Sequence, residues 1–549
     1  MKVVIVGGVA GGASTAARLR RLDEQAEILL FDRGGYVSYA NCAFPYYIGG
    51  VVEDQEELFL QTPESFWKRF RIQVRTNSEV IRILRRDKKV EVRDLTDGHI
   101  YEESYDKLVL SPGAEPVIPP VEGSRCPGVY SLRTVQDTFR IRDMAVRQGC
   151  QRAVVVGGGF IGLEMAVNLR NLGAEVTLLE AAGQVFPPFD PEMARIVEME
   201  LQENGVQVKT SCGVQGIVPC DGGYQVNCAD GSSLPCDFVV MAVGVRPEST
   251  LAREAGLTVN QRGGIVVSPS LQTDDPDIYA VGDVIQVENE ISGQPVQLPL
   301  AGPANRQGRI AAENLDGGEQ VFSGVIGTSV VEVFQQTAAC TGLNEKTLQA
   351  LNVPYEKVYL SPNQHAGFYP GACPMTLKLL FSPQGNVLGC QCIGREGVDK
   401  RVDVIASVLH FKGTVADLAE MELGYAPAYS SAKDPINYAG FLAQNVLSGR
   451  SPIKHWNDLE NRDREKSVLV DVRTSGEYAM GHLDGSVNIP VDELRERLDQ
   501  LPKDKELWIY CQVGIRGYIA QRILMQSRPG QKVYNISGGY RLFKLIGAC

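Results

Sequence analysis

At 549 residues the chain is longer than one hydrophobic core can serve, and about three or four domains are expected. Its 44% hydrophobic and 22% charged residues belong to a globular protein, and no apolar run approaches the roughly 20 residues that span a bilayer, which argues against a membrane protein. A net charge of -12 argues against a generic nucleic-acid binder, whose phosphate contacts need a positive surface. Met1 to Val6 reads at once as a strand, with none of the zones of a secretory signal, so a cytoplasmic location is expected. The thirteen cysteines are scattered, and in a reducing compartment most are expected to be buried thiols.

The first strand runs into Gly7-Gly8-Val9-Ala10-Gly11-Gly12, a dinucleotide-binding turn with Val9 where the second glycine belongs. Its context supports it: strand Glu27 to Phe31 ends at Asp32, about 20 residues after Gly12, where an acid holds a ribose. On the intervening helix Arg18 and Arg21 lie three apart and share a face, suited either to phosphate or to solvent. Then comes Cys42 within Tyr36 to Gly50, with no second cysteine near it. A thiol without a neighbouring partner must cycle with an external sulfur or oxygen species, and it must do so as the thiolate.

A second unit, Ala153 to Val156 followed by Gly157-Gly158-Gly159-Phe160-Ile161-Gly162 and a strand ending at Glu180, carries all three glycines. Gly157 makes the turn, Gly159 admits the pyrophosphate and Gly162 lets helix and strand pack closely. Ala181 and Ala182 follow Glu180 with no adjacent base, so NADH is favoured over NADPH. Cys212, Cys220, Cys228 and Cys236 recur every eight residues. Without the short pairs and histidines of zinc sites, they are expected to pack in successive strands, and no metal is expected.

Two further stretches carry a resemblance. Ser270 to Asp274 with Ile278-Tyr279-Ala280-Val281-Gly282-Asp283 is similar to the second flavin fingerprint of the pyridine nucleotide–disulfide oxidoreductases, while Leu108 to Ala114 and Val240 to Pro247 resemble that family's crossovers. The lone cysteine after Ser38-Tyr39-Ala40-Asn41 resembles the branch holding coenzyme A-disulfide reductase, NADH peroxidase and NADH oxidase. The resemblance implies FAD and NADH as cofactors, with Asp283 on the ribityl chain. Further cofactor contacts are implied at Gly7, Gly8, Ala10, Gly11, Gly12, Asp32, Arg33, Ser111, Gly113, Ala114, Ile161, Gly244, Gly282, Ala301 and Tyr425. Phe160 would cover the flavin until nicotinamide arrives, or else pack the helix start.

From about Val325 the chain resembles the family's interface domain, which forms a homodimer with shared active sites. Gln364 to Gly371 and Tyr425 to Pro435 look like coenzyme A-disulfide reductase signatures. They imply Tyr369 and Tyr425 as hydroxyl donors to a leaving thiolate and Lys433 as a ligand of coenzyme A, although Phe368 departs from that group's Tyr-Tyr pair. Ser14, Arg18, Arg21, Ser38, Asn41 and Asn305 are the other substrate contacts implied, and His365 is the nearest candidate base.

Val468 to Arg473, Glu477, Gly481 to Pro490 and the loop Cys511-Gln512-Val513-Gly514-Ile515-Arg516 resemble a rhodanese domain. Cys511 at a strand end would carry sulfane sulfur in a nest of backbone N–H groups, with Arg516 closing the loop. Cys549 is assigned no role.

The fold class expected is α/β: an FAD domain (1–115 and 250–324), a nested NAD domain (116–249), an α+β dimerisation domain (325–447), a linker (448–454) and an α/β rhodanese domain (455–549). The expected activity is NADH-dependent reduction of a persulfide, polysulfide or coenzyme A disulfide at Cys42. A peroxidase or oxidase working through a Cys42 sulfenic acid is one alternative. A sulfur carrier with a slow reductase half is the other.

Overall fold

The computed structural model describes residues 1–147 and 151–547, so Cys150 and Cys549 lie outside the described residues. It divides into two units, Met1–Val185 with Leu201–Val325, and Phe186–Glu200 with Ile326–Cys549.

The first unit is built twice from one plan. Its flavin half is a parallel sheet in the order Ile278–Ala280, Lys107–Leu110, Lys2–Val6, Glu27–Phe31, Gln73–Arg75. The nicotinamide half repeats it with Val129–Ser131, Phe238–Met241, Arg152–Val156, Glu175–Leu179 and Gln207–Lys209. Helices cover parallel strands on both faces, so these strands are continuously apolar, and Val3, Val4, Ile5, Leu108 and Val109 are fully buried. Burial of each such side chain stabilises the sheet by roughly 1.5–3 kcal/mol. Antiparallel pairing of Ala114–Pro116 with Val245–Pro247 forms the crossover between the halves.

In the second unit, an antiparallel sheet runs Ser329–Val333, Gln336–Gly342, Val387–Gly394, Thr376–Phe381, Glu356–Leu360. Lys378, fully buried in it, bonds Asp190 at 2.7 Å and also reaches Glu192 and Glu345. These bonds explain why residues 186–200 belong to this unit. Lys378 and Lys357 together hold the Glu345 carboxyl down at about 2 against its burial. The last sheet is parallel, in the order Ile453–Lys454, Val533–Ile536, Glu506–Tyr510, Ser467–Asp471, Ser486–Asn488. The described elements are the α/β architecture expected, with the antiparallel sheet following the dinucleotide folds in the chain and the parallel sheet coming last.

The four regularly spaced cysteines do not all behave as packing residues in strands. Cys212 precedes its strand, and Cys220 is exposed at the end of Val214–Cys220, because the hairpin reverses there at the surface. Cys228 and Cys236 are buried. The sulfurs of Cys212 and Cys228 and an Asp230 oxygen lie within 4.8 Å of one another. The Lys209 ammonium stands 3.6 Å from Asp230 and contributes the positive charge there.

Candidate active site

The two glycine turns are built alike. Gly7 (φ +97°) and Gly157 (φ +105°) are left-handed, and a Cβ on either would fall within 2.3 Å of a carbonyl oxygen, so only glycine fits. Asp32 accepts from the N–H of Gly8 (2.9 Å) and of Gly34 (2.8 Å). Glu180 accepts from Gly158 and Ala182, both at 2.7 Å. Each acid is thus fixed beside its turn by two backbone donors. Lys209 pairs in the strand beside Glu180, but its ammonium bonds Ser232 at 2.9 Å and faces Asp230.

In the flavin half a cavity of about 680 Å³ opens along the first turn. Gly7, Ala10, Gly11, Asp32, Arg33, Ser111, Gly113, Ala114, Gly282 and Asp283 all line it. Burial pushes the Asp283 carboxyl up to about 6, and the Arg133 charge is what opposes the shift. A half-buried carboxylate offering acceptors into a long cavity suits the hydroxyls of a ribityl chain, and the fixed Asp32 suits a ribose. The residues therefore fit FAD. Gly8 and Gly12 pack behind the turn, and Gly244 lies exposed on the crossover.

Cys42 opens a groove of about 550 Å³ on the same unit. It is exposed in the short 3-10 turn Asn41–Ala43, which runs straight into the helix Phe44–Ile48. Ser38, left-handed at φ 47°, donates from its N–H to the Gly8 carbonyl at 2.7 Å and anchors this segment to the first turn. Ser14, Arg18, Arg21, Ser38, Asn41 and Asn305 all reach the groove. Ala301 lines this groove too, whereas Ala304 of the same helix lines the flavin cavity. The Arg18 guanidinium is paired with Glu313 at 2.5 Å, and Arg309 stands 3.8 Å from the same carboxylate. Cys42 is the one cysteine among the groove residues.

Sequence reasoning passed over Glu164. It lies one turn beyond Phe160 on the helix Phe160–Asn171, and it accepts from the Tyr46 hydroxyl at 3.2 Å, four residues after Cys42. Burial pushes its carboxyl up to about 7, with the Tyr46 bond opposing. The i, i+4 spacing from Phe160 was the available signal.

In the second unit Tyr369 and Tyr425 are half-exposed, on two loops that are tied together. Arg401, 1% exposed, bonds Asp434 at 2.8 Å, the Gln364 carbonyl at 2.8 Å and Ser430 at 3.2 Å. His365 is buried, its ring edge-on to Tyr369 at 5.5 Å and its Nδ1 3.2 Å from the Ala366 carbonyl. Lys433 is exposed beside a different cavity from the one at Cys42.

Cys511 ends the strand Glu506–Tyr510 and is fully buried, its Sγ accepting the Gly514 N–H at 3.1 Å. Arg516, five residues after Cys511, makes two 2.7 Å bonds to Glu477. The Arg516 bonds hold the Glu477 carboxyl at about 2. The loop is closed from outside by the Tyr540 and Arg541 N–H groups on the carbonyls of Cys511 (2.7 Å) and Gln512 (2.9 Å).

Twin dinucleotide turns, a flavin cavity and an exposed thiol define an NAD(P)H-dependent flavoprotein reductase of the disulfide and persulfide class. The chain belongs to the pyridine nucleotide-disulphide oxidoreductase family, which residues 1–308 match. Residues 328–435 match that family's dimerisation domain, which indicates a homodimer, and residues 456–545 match a rhodanese-like domain. Coenzyme A disulfide reductase of Staphylococcus epidermidis is 35% identical over 445 residues, covering 81% of this chain and all of that protein. Among solved structures, reduced Bacillus anthracis CoADR-RHD is 46% identical with a TM-score of 0.97, over 99% of this chain and 98% of that one. A NAD-dependent persulfide reductase from A. fulgidus is 37% identical with a TM-score of 0.93, over 99% of this chain and all of that one. Among the described residues no helix is long and apolar enough to cross a membrane.

Proposed function

We propose that the chain is an NADH-dependent reductase of persulfides, polysulfides or coenzyme A disulfide, with Cys42 as the nucleophile and Cys511 as a carrier of sulfane sulfur. The observation that carries this reading is the exposed Cys42, the one cysteine among the described groove residues, in a groove edged by Arg18, Arg21 and Arg309, whose three positive charges face the single carboxylate of Glu313. Guanidinium groups in a groove suit an anionic, phosphate-bearing thiol. Peroxide or dioxygen has no use for them.

FAD held at Asp32 and Asp283 supplies the redox coupling between NADH and the Cys42 sulfur. The protein's own groups do the rest. Glu180, fixed by two N–H donors, takes the adenosine ribose, and Lys209 beside it is committed to Ser232 and Asp230 rather than to a 2′-phosphate, which favours NADH. The Cys42 thiolate attacks one sulfur of the substrate S–S bond. Attack on the inner sulfur of a hydropersulfide leaves a mixed disulfide and releases sulfide, whereas attack on the outer sulfur releases the organic thiol. Tyr369 and Tyr425, contributed across the homodimer, protonate the leaving thiolate. At the other end, the Gly514 N–H donates to the sulfur of Cys511 and, with the nearby charge of Arg516, stabilises an anionic persulfide.

Anaerobic NADH oxidation with coenzyme A persulfide tests the reading, with stoichiometric thiol and sulfide as the expected products. Full activity in Cys42→Ser rules out the mechanism. Faster NADH-dependent peroxide consumption moves the protein to the sulfenic acid alternative.

A further inference from the structure

Two helices, Ala10–Leu22 and Ala301–Leu315, supply one side of the groove at Cys42. Gly308 lets them pack at close range, since a Cβ there would fall 2.5 Å from the Gly11 carbonyl oxygen. Ser14 of the first helix donates to Asn305 of the second at 2.5 Å, and Arg18, one turn further on, reaches Glu313. Ala301, Asn305, Arg309 and Glu313 recur every four residues, so they form one stripe along the second helix. Ala301, Asn305 and Arg309 of that stripe line the groove, as do Ser14, Arg18 and Arg21 of the first helix.

Glu313 holds a place that its own helix disfavours. It lies in the last turn of Ala301–Leu315, where the unpaired carbonyls present negative charge and repel a carboxylate. Arg18 offsets this. Its guanidinium donates to Glu313 Oε1 from Nε at 3.0 Å and from Nη2 at 2.5 Å, and Arg309 stands 3.8 Å from the same oxygen. The two side chains of the Arg18–Glu313 pair are 21% and 26% exposed, and a pair so open to water contributes little to stability, so holding the fold does not account for it. Its geometry does more. The Nε edge of Arg18 is occupied, while Nη1 has no hydrogen-bond partner among the described residues and the fork it forms with Nη2 keeps free donors.

We propose that Glu313 is a positioning residue that makes the groove selective for a phosphate-bearing thiol: by pinning the Nε edge of Arg18 it presents the free fork of that guanidinium to a phosphate as a fixed, bidentate donor. The inference rests on the reading of Cys42 as the nucleophile of a persulfide or disulfide reductase, and it adds the residue that sets the substrate class. Glu313 acts through Arg18 and meets no reacting atom. After it has balanced one arginine, Arg21 and Arg309 leave the groove positive. Removing the carboxylate has two opposed effects: it adds a net positive charge, and it frees Arg18 to turn, so that binding must order the side chain again. At about 0.15 M salt an exposed charge is screened within roughly 8 Å, and the loss of order outweighs the gain in charge.

The test follows anaerobic NADH oxidation by the full-length, FAD-loaded protein in about 0.15 M salt. Three substrates are compared: coenzyme A persulfide, pantetheine persulfide, which has the same thiol arm without phosphate, and inorganic polysulfide. Glu313→Gln is expected to raise KM for coenzyme A persulfide about threefold to tenfold, while kcat and the KM of both phosphate-free substrates stay within about twofold. Glu313→Asp keeps the charge but falls one methylene short of Arg18, so the same selective rise is expected there and can come only from position. Adding Glu313→Gln to Arg18→Ala should weaken coenzyme A persulfide no further than Arg18→Ala alone, because nothing is left to position. An unchanged or lower KM for coenzyme A persulfide in either folded Glu313 variant, an equal rise for the phosphate-free substrates, or additive losses in the double variant overturns the proposal and leaves the function of Cys42 standing. If the wild-type protein reduces none of the three substrates, the reading falls and this proposal with it.

Discussion

Glu164 and Asp283 are both carboxyls raised by burial, yet they call for different tests. An ordinary glutamate titrates near 4.5 and Glu164 near 7, so the folded state holds its proton more tightly than the unfolded state does. Below pH 4.5 both states are protonated and the group costs nothing. Between 4.5 and about 7 the unfolded chain ionises first, and the folded state loses stability as pH rises. Glu164→Gln should therefore match the wild type at pH 4 and exceed it by roughly 2–3 kcal/mol at pH 8, read from urea unfolding at the two values. Its flavin-reduction rate should also lose any inflection near pH 7. Asp283→Asn should stabilise the FAD-free protein and weaken FAD binding by about tenfold to a hundredfold, since a hydrogen bond to a charged group contributes about 1.5–3 kcal/mol. Thermal unfolding with and without FAD, together with flavin absorbance, measures both. Asp283, Asp32 and Glu180 were legible in the sequence because each follows a glycine turn or ends a fingerprint at fixed spacing. Glu164 was not, because its partner Tyr46 lies 118 residues away and its proton affinity comes from burial.

Elements were legible wherever a period declared them. The strands Lys2–Val6 and Arg152–Val156 are apolar throughout because helices cover both faces, and such runs bounded by glycines need no tertiary knowledge to find. What holds the loops of the second unit was hidden. Arg401 and Asp434 sit 33 residues apart in unremarkable charged sequence, yet their side chains are 1% and 2% exposed and bonded at 2.8 Å. Asp434 also caps the helix Pro435–Leu447 through the Ile436 N–H at 3.0 Å. Removing one partner of a buried pair leaves an uncompensated charge, which typically costs about 3–5 kcal/mol. Arg401→Met should lower stability by that amount in denaturant unfolding. If enough folded protein remains, turnover should fall while flavin content stays normal, because the loops of Tyr369 and Tyr425 lose their tie and the flavin cavity belongs to the other unit. Normal turnover in a folded Arg401→Met protein would remove these loops from the chemistry.

At the scale of the whole molecule, the dimerisation sequence carries a cost that only assembly relieves. Phe368, Tyr369, Tyr425 and Tyr429 are 78%, 44%, 49% and 75% exposed, all on the two loops bound by Arg401. Aromatic side chains bury large areas when covered, and a group of them left in water marks an interaction surface. A homodimer that shares its active sites would cover these rings and bring the tyrosines to the partner's thiol at once. Tyr429→Glu adds a charge to that surface without touching the dinucleotide turns, the flavin cavity or the Cys42 groove. It should shift the protein from dimer to monomer in light scattering at micromolar concentration. The monomer should still bind FAD and still be reduced by NADH, because both dinucleotide folds lie in one chain, but persulfide turnover should drop by about a hundredfold or more, the usual worth of a positioned acid. A Tyr429→Glu protein that dissociates and keeps full turnover would place the whole reaction within one subunit, and one that remains dimeric would place the dimer contact elsewhere on the dimerisation domain.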